Sequence, residues 1–211
     1  MIKRKRHLEM LLEKIPPHPG PDPELEQYLT PAPIAAEVLW SARSMGDIEK
    51  RRLIDLGCGT GMLGIGAALL GAEHVYCVDI DEEALKVARA MADDLGLENM
   101  TFIAADIRSM GQDIPGIEPA DTVIQNPPFG SQERAERGAD RVFMETALSL
   151  GRVIYSFHMA GAEDFVCRYY EKLGGRVTHR MPLRFPIPRT YSFHREEVST
   201  VNVVVLRIES I

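Results

Sequence analysis

The feature that most constrains the fold is a short apolar run followed at once by closely spaced glycines and a second apolar stretch. Residues 53–72 read LIDLGCGTGMLGIGAALLGA, with Gly57, Gly59 and Gly61 between the two stretches. Glycine permits positive φ and a close approach of the backbone to a ligand, and a helix that begins after such a loop presents unpaired N–H groups. We therefore predict a strand, a loop that binds a nucleoside cofactor, and a helix.

The glycine spacing distinguishes between two classes of cofactor. A dinucleotide fingerprint, GxGxxG, would have its third glycine at position 62, where this chain has Met62. The spacing GxGxG weakens the prediction of a pyrophosphate site. It favours a cofactor without phosphates, and S-adenosyl-L-methionine is one.

Apolar runs of strand length alternate with longer amphipathic segments along the rest of the chain. This alternation is typical of an α/β fold, in which a parallel sheet is joined by crossover helices. Predicted strands lie near residues 51–55, 74–79, 100–105, 121–125, 152–157, 175–185 and 199–208. Predicted helices lie near residues 61–70, 81–95, 139–149 and 161–173, and a loop that contains Pro186 and Pro188 joins the last two strands.

The N-terminal segment has a different organisation. A basic helix extends to about Ile15, and the sequence PPHPGPDPE at 16–24 reads as a linker because it has too many prolines for regular structure. We expect residues 1–24 to form this helix and linker, and residues 25–211 to form a single domain. Thr30 is predicted to cap a helix that has Pro31 and Pro33 in its first turn.

Composition restricts the cellular compartment and the kinds of site. The chain has 211 residues, of which 45% are apolar, so one domain with a sizeable core is expected. Cys58, Cys77 and Cys167 form no CxxC pair, and no histidines have the spacing of metal ligands, so we expect no metal site and a reducing compartment. No segment resembles a signal peptide or a bilayer span, which predicts a cytoplasmic location without membrane contact.

The distribution of charge allows a nucleic-acid partner although the net charge is −7. Residues 3–6 form one basic cluster, and a second cluster precedes the last predicted strand. The members of the second cluster are Arg176, His179, Arg180, Arg184, Arg189, His194 and Arg195. Each cluster taken alone is more typical of a solvated arm or an ordinary charged loop than of a nucleic-acid site.

Aspartates stand at the ends of three successive predicted strands. Asp55 ends the first strand, Asp79 lies 22 residues after Gly57, and Asp106 follows the third strand. A carboxylate at the second strand can accept ribose hydroxyls, one at the third can accept an adenine amino group, and Asp55 can face the charged methionine end of the cofactor. A single aspartate at such a position would more commonly be a cap or a turn residue.

The fourth predicted strand ends in QNPPF at 125–129. The Asn126 side-chain carbonyl and the Pro127 main-chain carbonyl can accept both N–H bonds of an amino group, while Pro127 and Pro128 fix the direction of the chain. Phe129 can stack on a planar ring. Alone, the motif also fits a proline-rich turn with a core phenylalanine, but its position one strand after the aspartates favours methyl transfer to nitrogen.

With these motifs, the sequence resembles class I S-adenosylmethionine-dependent methyltransferases of the NPPF type. It is most similar to the methyltransferase-like-five group of small-subunit ribosomal RNA adenine-N6 methyltransferases. The similarity rests on LEQYLTPAPIAAEVL at 25–39, the glycine stretch, DIDEEAL at 79–85, QNPPFG at 125–130 and YSFH at 191–194. It implies a Rossmann-like fold with a seven-stranded, mostly parallel sheet, helices on both faces and an antiparallel last strand.

The resemblance also implies site residues. Cofactor contacts are implied at Gln27, Thr30, Gly57, Thr60, Met62, Asp79, Asp106 and Ile107, to which the aspartate and glycine patterns add Asp55 and Gly59. Catalytic placement is implied at Asn126, Pro127, Pro128 and Phe129. The chain departs from the group in reading QYLTP for QYPTP and in having Thr60 where relatives have cysteine.

The resemblance finally implies RNA and a small zinc-containing activator subunit as partners. In the strand order of methyltransferases the third strand lies at an edge of the sheet, and an unpaired apolar edge can accept a partner strand. Two alternative substrates stay open, a glutamine amide of a protein and the N2 amine of guanine in RNA. A scaffold that binds cofactor without turnover is a third alternative, although it gives no reason for the QNPPF motif.

Overall fold

A mixed β-sheet forms the centre of the structure. The structure is a computed structural model, and it describes residues 2–20, 29–110, 114, 116–128, 139–188 and 198–211. Gln27, Phe129 and the YSFH sequence lie outside the described residues. The strands are β1 (Arg52–Leu56), β2 (His74–Asp79), β3 (Met100–Ala104), β4 (Ala120–Gln125), β5 (Gly151–Met159), β6 (Gly175–Pro188) and β7 (Val198–Ser210). The helices are α1 (Lys5–Leu12), α2 (Ala32–Ser44), α3 (Met62–Leu69), α4 (Glu82–Asp94), α5 (Ile107–Met110), α6 (Ala139–Leu150) and α7 (Glu163–Lys172).

The strand order is β3-β2-β1-β4-β5-β7-β6, which confirms the predicted seven-stranded sheet. The first five strands of this order run parallel, and β7 runs antiparallel to both β5 and β6. The predicted edge position of β3 is confirmed. Leu56 pairs with Gln125, which pairs with Ser156, so the carboxyl ends of the central strands meet at one edge of the sheet. Ligands of open α/β sheets bind at this edge.

Two local predictions were wrong, and one short helix was missed. Thr30 does not cap α2, because Pro31 occupies the N-cap position without a side-chain cap, and the Thr30 hydroxyl has a distant partner. The short α5 was not predicted. Pro186 and Pro188 belong to β6 and not to a loop. Since β6 is an edge strand, a missing proline N–H there need not remove a ladder hydrogen bond.

Helices cover both faces of the sheet. On one face, α1, α2 and α3 pack together through Leu8, Leu12, Leu39 and Ile65, all of which are fully buried. Burying each such side chain contributes about 1.5–3 kcal/mol. The opposite face is covered mainly by α6 and α7. The basic helix α1 is therefore anchored to the sheet by its apolar side.

A buried ion pair connects the segment after α2 to the antiparallel strands. Asp47 Oδ2 accepts hydrogen bonds from Arg207 Nε at 2.8 Å and from the Tyr155 hydroxyl at 2.6 Å. Burial and the neighbouring Asp47 carboxylate raise the pKa of Tyr155, which therefore stays a neutral donor. Within the described residues, no helix has both the length and the apolar character needed to cross a membrane.

Candidate active site

The glycine loop between β1 and α3 has the backbone conformation that its sequence predicts. Gly57, Gly59 and Gly61 have φ values of 70°, 54° and 89°, in the left-handed region that favours glycine. The Gly57 N–H donates to Val78 O at 2.8 Å, which holds the start of the loop against β2. The loop thus lies over the carboxyl ends of β1 and β2, with Gly57 and Gly59 half-buried.

Asp79, the last residue of β2, holds the middle of this loop. Its Oδ2 accepts the Gly59 N–H at 2.7 Å, and its Oδ1 accepts the Asp81 N–H at 2.9 Å. Burial raises the pKa of Asp79, while these two backbone N–H groups favour its charged form. A carboxylate has about four acceptor positions, so each oxygen can also accept a ligand hydroxyl.

Asp55 lies beneath the loop at the end of β1. Its Oδ2 accepts the Gly64 N–H at 2.6 Å, and its Oδ1 is buried without a hydrogen-bond partner among the described residues. Burial raises the pKa of Asp55 to about 7, against the effect of the Gly64 N–H, and the charge of Asp79 raises it further. Thr60 Oγ1 is a second buried atom that has no partner in the described part of the chain. These atoms fit a ligand that brings a positive charge and hydrogen-bond donors.

Asp106 is located two residues beyond the end of β3. Arg108 donates to its Oδ1 through Nε at 3.0 Å and through the backbone N–H at 2.9 Å, and this partner lowers the pKa of Asp106. The carboxylate is therefore ionised and can accept an additional amino group. Ile107 begins α5 and Met62 begins α3, and both are buried at the same edge of the sheet.

Asn126 follows β4 directly, and its side chain is held in one orientation. Asn126 Nδ2 donates to Thr30 Oγ1 at 3.1 Å, a contact between residues 96 positions apart. Asn126 Oδ1 is buried and accepts no hydrogen bond from any described residue. Pro127 is buried and Pro128 is half-buried, which fixes the chain after Asn126. The site thus contains a carbonyl oxygen that can accept an N–H group.

A polar network behind β4 fixes the residue that precedes Asn126. Gln125 Nε2 donates to Ser156 Oγ at 2.9 Å and to the Tyr170 hydroxyl at 3.3 Å, and Ser156 Oγ is 2.7 Å from His158 Nε2. Burial lowers the pKa of His158 to about 3, so its ring is neutral. The sequence analysis missed this network. Ser156 and His158 alternate with apolar residues along β5, and that pattern was the available signal.

The structure brings the predicted aspartates, the glycine loop, Thr30 and Asn126 to one edge of the sheet. Asp106 lies at the same edge, farther from β4 because β3 is at the end of the sheet. Among the described residues, no group of three or more histidine, cysteine, aspartate or glutamate side chains could hold a metal ion.

Comparisons with known proteins agree with this geometry. Residues 48–161 match a family model described as a methyltransferase domain. The chain is 41% identical to the uncharacterised protein MJ0284 of Methanocaldococcus jannaschii, over 100% of this chain and 96% of that protein. It is 32% identical to the rRNA N(6)-adenosine-methyltransferase METTL5 of Danio rerio, over 96% of this chain and 97% of METTL5.

A solved structure also matches over the whole chain. It is PH1948 from Pyrococcus horikoshii, provisionally described as an RNA methyltransferase, with 36% identity, a TM-score of 0.88 and complete coverage of both chains. The chain therefore belongs to the methyltransferase-domain family, as an S-adenosyl-L-methionine-dependent enzyme homologous over nearly its full length to METTL5.

Proposed function

We propose that this protein transfers the methyl group of S-adenosyl-L-methionine to the N6 amine of an adenine in small-subunit ribosomal RNA. The observation that carries the proposal is the orientation of Asn126. Because its Nδ2 donates to Thr30, its Oδ1 is left as a buried acceptor that has no partner among the described residues. A buried acceptor without a partner is costly, and an amino N–H group of a substrate would satisfy it.

The chemistry of the acceptor nitrogen explains why such an oxygen is useful. The lone pair of an exocyclic amine is delocalised into its ring, so the nitrogen is weakly nucleophilic. Hydrogen bonds from that amine to Asn126 Oδ1 and to the Pro127 carbonyl favour a pyramidal nitrogen with a localised lone pair. The nitrogen would then form a bond to the methyl carbon as the bond from that carbon to the sulfonium sulfur breaks, which leaves S-adenosylhomocysteine, and would lose its extra proton to solvent. Most of the rate enhancement would come from this positioning.

Bound S-adenosyl-L-methionine would supply a methyl group activated by its sulfonium charge. Asp79 would accept the ribose hydroxyls, and Asp106 would accept the adenine amino group. Asp55 and Thr60 would face the methionine end, since Asp55 Oδ1 and Thr60 Oγ1 are two of the four buried side-chain atoms that lack partners among the described residues, the others being Gln125 Oε1 and Asn126 Oδ1. The remaining proposed cofactor contacts are Gln27, Thr30, Gly57, Gly59, Met62 and Ile107.

Two further observations support RNA as the substrate. The METTL5 relatives at 32% and 34% identity carry the name of rRNA N(6)-adenosine-methyltransferases. The side chains of Lys3, Arg4 and Arg6 are exposed near α1, and that of Arg184 is exposed on β6, where phosphates could contact them. The target adenine would be flipped out of its stack to reach Asn126, and Phe129 would stack on it.

A small zinc-containing activator subunit belongs to the same proposal. The exposed edge of β3 would accept a strand from that subunit, because the side chains of Met100, Thr101, Phe102 and Ile103 are only half-buried. We also propose residues 1–24 as a basic helix and linker, residues 25–211 as the methyltransferase domain, and the cytoplasm as the location.

A protein glutamine amide is the second candidate substrate, because the net charge of −7 favours a substrate without phosphates. A glutamine amide would present the same kind of N–H group to Asn126 Oδ1. The guanine N2 amine is a third candidate with the same geometry. The chemical identity of the methylated product separates the three.

The catalytic assignment is tested by separating turnover from cofactor binding. Asn126→Ala should lower kcat for methyl transfer to ribosomal RNA by at least about 100-fold, which is the usual effect of removing one stabilising group. Binding of S-adenosylhomocysteine, measured by calorimetry, should be unchanged in that variant and lost in Asp79→Ala. The exposed Asn202→Ala serves as control. Full methyl transfer by Asn126→Ala would contradict the assignment.

A further inference from the structure

A histidine of the proline-rich linker contacts the turn that follows β2. His18 Nε2 lies 2.8 Å from Asp81 Oδ2, and the two side chains are only 9% and 19% exposed. The Gly20 N–H donates to His18 Nδ1 at 3.0 Å. Nδ1 is therefore the acceptor nitrogen of the ring, so Nε2 carries the proton and donates it to the Asp81 carboxylate.

Asp81 connects this contact to the cofactor edge of the sheet. Its Oδ1 caps α4 by accepting the N–H groups of Glu83 at 2.9 Å and Ala84 at 3.2 Å, and its Oδ2 accepts from His18. The Asp81 backbone N–H donates to Asp79 Oδ1. Asp79 Oδ2 in turn holds the N–H of the glycine loop. One chain of hydrogen bonds thus extends from the linker to the loop.

We propose that His18 is a positioning residue of the cofactor site, which holds Asp81, and through it the Asp79 carboxylate, in the arrangement that accepts the ribose hydroxyls. The inference rests on the proposed contact between Asp79 and the cofactor, and is independent of which amino group is methylated. Thr30, which lies beyond the linker in the chain, contacts the acceptor side of the site by accepting from Asn126. The linker itself contacts the cofactor side through His18.

The Asp81 carboxylate that His18 holds also affects Asp79. Burial raises the pKa of Asp79, the backbone N–H groups of Asp81 and Gly59 lower it, and the charge of the Asp81 carboxylate raises it again. Without His18, the Asp81 carboxylate would lose the His18 N–H while it stays near the Asp79 carboxylate. Like charges that are close together repel, so Asp81 would be held less firmly in its position beside Asp79. His18 thus stabilises two neighbouring carboxylates that must stay together.

Calorimetric titration of the full-length chain with S-adenosylhomocysteine tests the proposal. His18→Ala should raise the Kd about tenfold, as expected for losing one hydrogen bond to a charged group. His18→Gln should bind within about twofold of wild type, because its amide can donate to Asp81 and accept from Gly20. His7→Ala, a substitution of an exposed histidine on α1, should bind as wild type does.

A double variant isolates the contact with Asp81. Asp81→Asn keeps an oxygen for the cap of α4 but presents no carboxylate to His18. Adding His18→Ala to Asp81→Asn should therefore cause no further loss of binding. Thermal unfolding of each variant shows whether the fold is retained. If His18→Ala does not fold, the test rests on His18→Gln, which should bind S-adenosylhomocysteine within about twofold of wild type.

Two results would overturn the inference. One is wild-type affinity in His18→Ala, and the other is an equal loss of affinity in the alanine and glutamine variants, which would indicate a packing role only. Failure of the wild-type chain to bind S-adenosylhomocysteine would instead contradict the proposed function. RNA takes no part in these titrations, so the two failures are distinguishable.

Discussion

Replacing Asp55 by asparagine should change how the stability of the free protein depends on pH. The Asp55 carboxylate is buried at 2% exposure, and its pKa is raised from 3.8 to about 7. Since one pKa unit corresponds to about 1.4 kcal/mol, ionised Asp55 destabilises the folded state by roughly 4 kcal/mol relative to its protonated form. Asparagine keeps an oxygen for the Gly64 N–H but cannot ionise.

The sign follows from proton binding. Between pH 4 and pH 7 the folded state retains the Asp55 proton that the unfolded state has lost, so the stability of the wild type falls as pH rises through this window. The stability of Asp55→Asn lacks this decrease. The difference between the two free energies of unfolding should therefore grow by about 3–4 kcal/mol from pH 4 to pH 8 and then stay constant.

Urea unfolding at a series of pH values, without cofactor, measures this difference. The increase in the free energy of unfolding of Asp55→Asn over the wild type will be smaller than roughly 4 kcal/mol, because one N–H of the new amide can stay unpaired at a cost of about 1–3 kcal/mol. The change of the difference with pH is therefore the informative quantity. If the free energies of unfolding of the two proteins changed in parallel over pH 4–8, the assignment of a raised pKa to Asp55 would be refuted.

Three other substitutions have defined outcomes. Gly64→Ala should lower the free energy of unfolding by about 2 kcal/mol or more, since the added Cβ would lie 2.6 Å from the buried Cys77 sulfur. Gly161→Ala is the control, because a Cβ added there meets nothing within 4 Å, and it should show no such loss. Asp47→Ala should cost about 1–3 kcal/mol in chemical denaturation, because the buried Tyr155 hydroxyl and Arg207 Nε lose their carboxylate acceptor while Glu209 still pairs with Arg207, and an unchanged free energy of unfolding would contradict this role. Thr30→Val should lower the rate of methyl transfer about tenfold in single-turnover assays because Asn126, the proposed catalytic residue, loses its acceptor, and an unchanged rate would contradict that role.

The fold could be predicted from sequence because its signals are local. A strand followed by GxGxG and a helix is a contiguous pattern, and alternating strands and helices determine a parallel sheet through the crossover connections. The edge position of β3 was predicted from the strand order of the methyltransferases that the sequence resembles, and the structure confirms it. In contrast, the end of β6 was predicted wrongly, since prolines usually end a strand, except at an edge such as β6.

The parts of the site that were not predicted depend on hydrogen bonds between residues that are far apart in the sequence. Thr30 has the residue type and position of a helix cap, yet its hydroxyl accepts from a side chain 96 positions away. His18 and Asp81 are 63 positions apart, and neither periodicity nor spacing connects them. Sequence placed Asp55 correctly at a strand end. That one of its two oxygens has no hydrogen-bond partner among the described residues, however, depends on how α3 packs over β1.

Identification of the methylated product tests the central claim most directly. The full-length protein would be incubated with S-adenosyl-L-methionine labelled in its methyl group and with small-subunit ribosomal RNA in the presence of the cell's proteins. The RNA would then be digested to nucleosides and the protein to amino acids. We predict that the label is in N6-methyladenosine with the wild type and is absent with Asn126→Ala. Label in N2-methylguanosine or in a protein glutamine would contradict the proposed substrate.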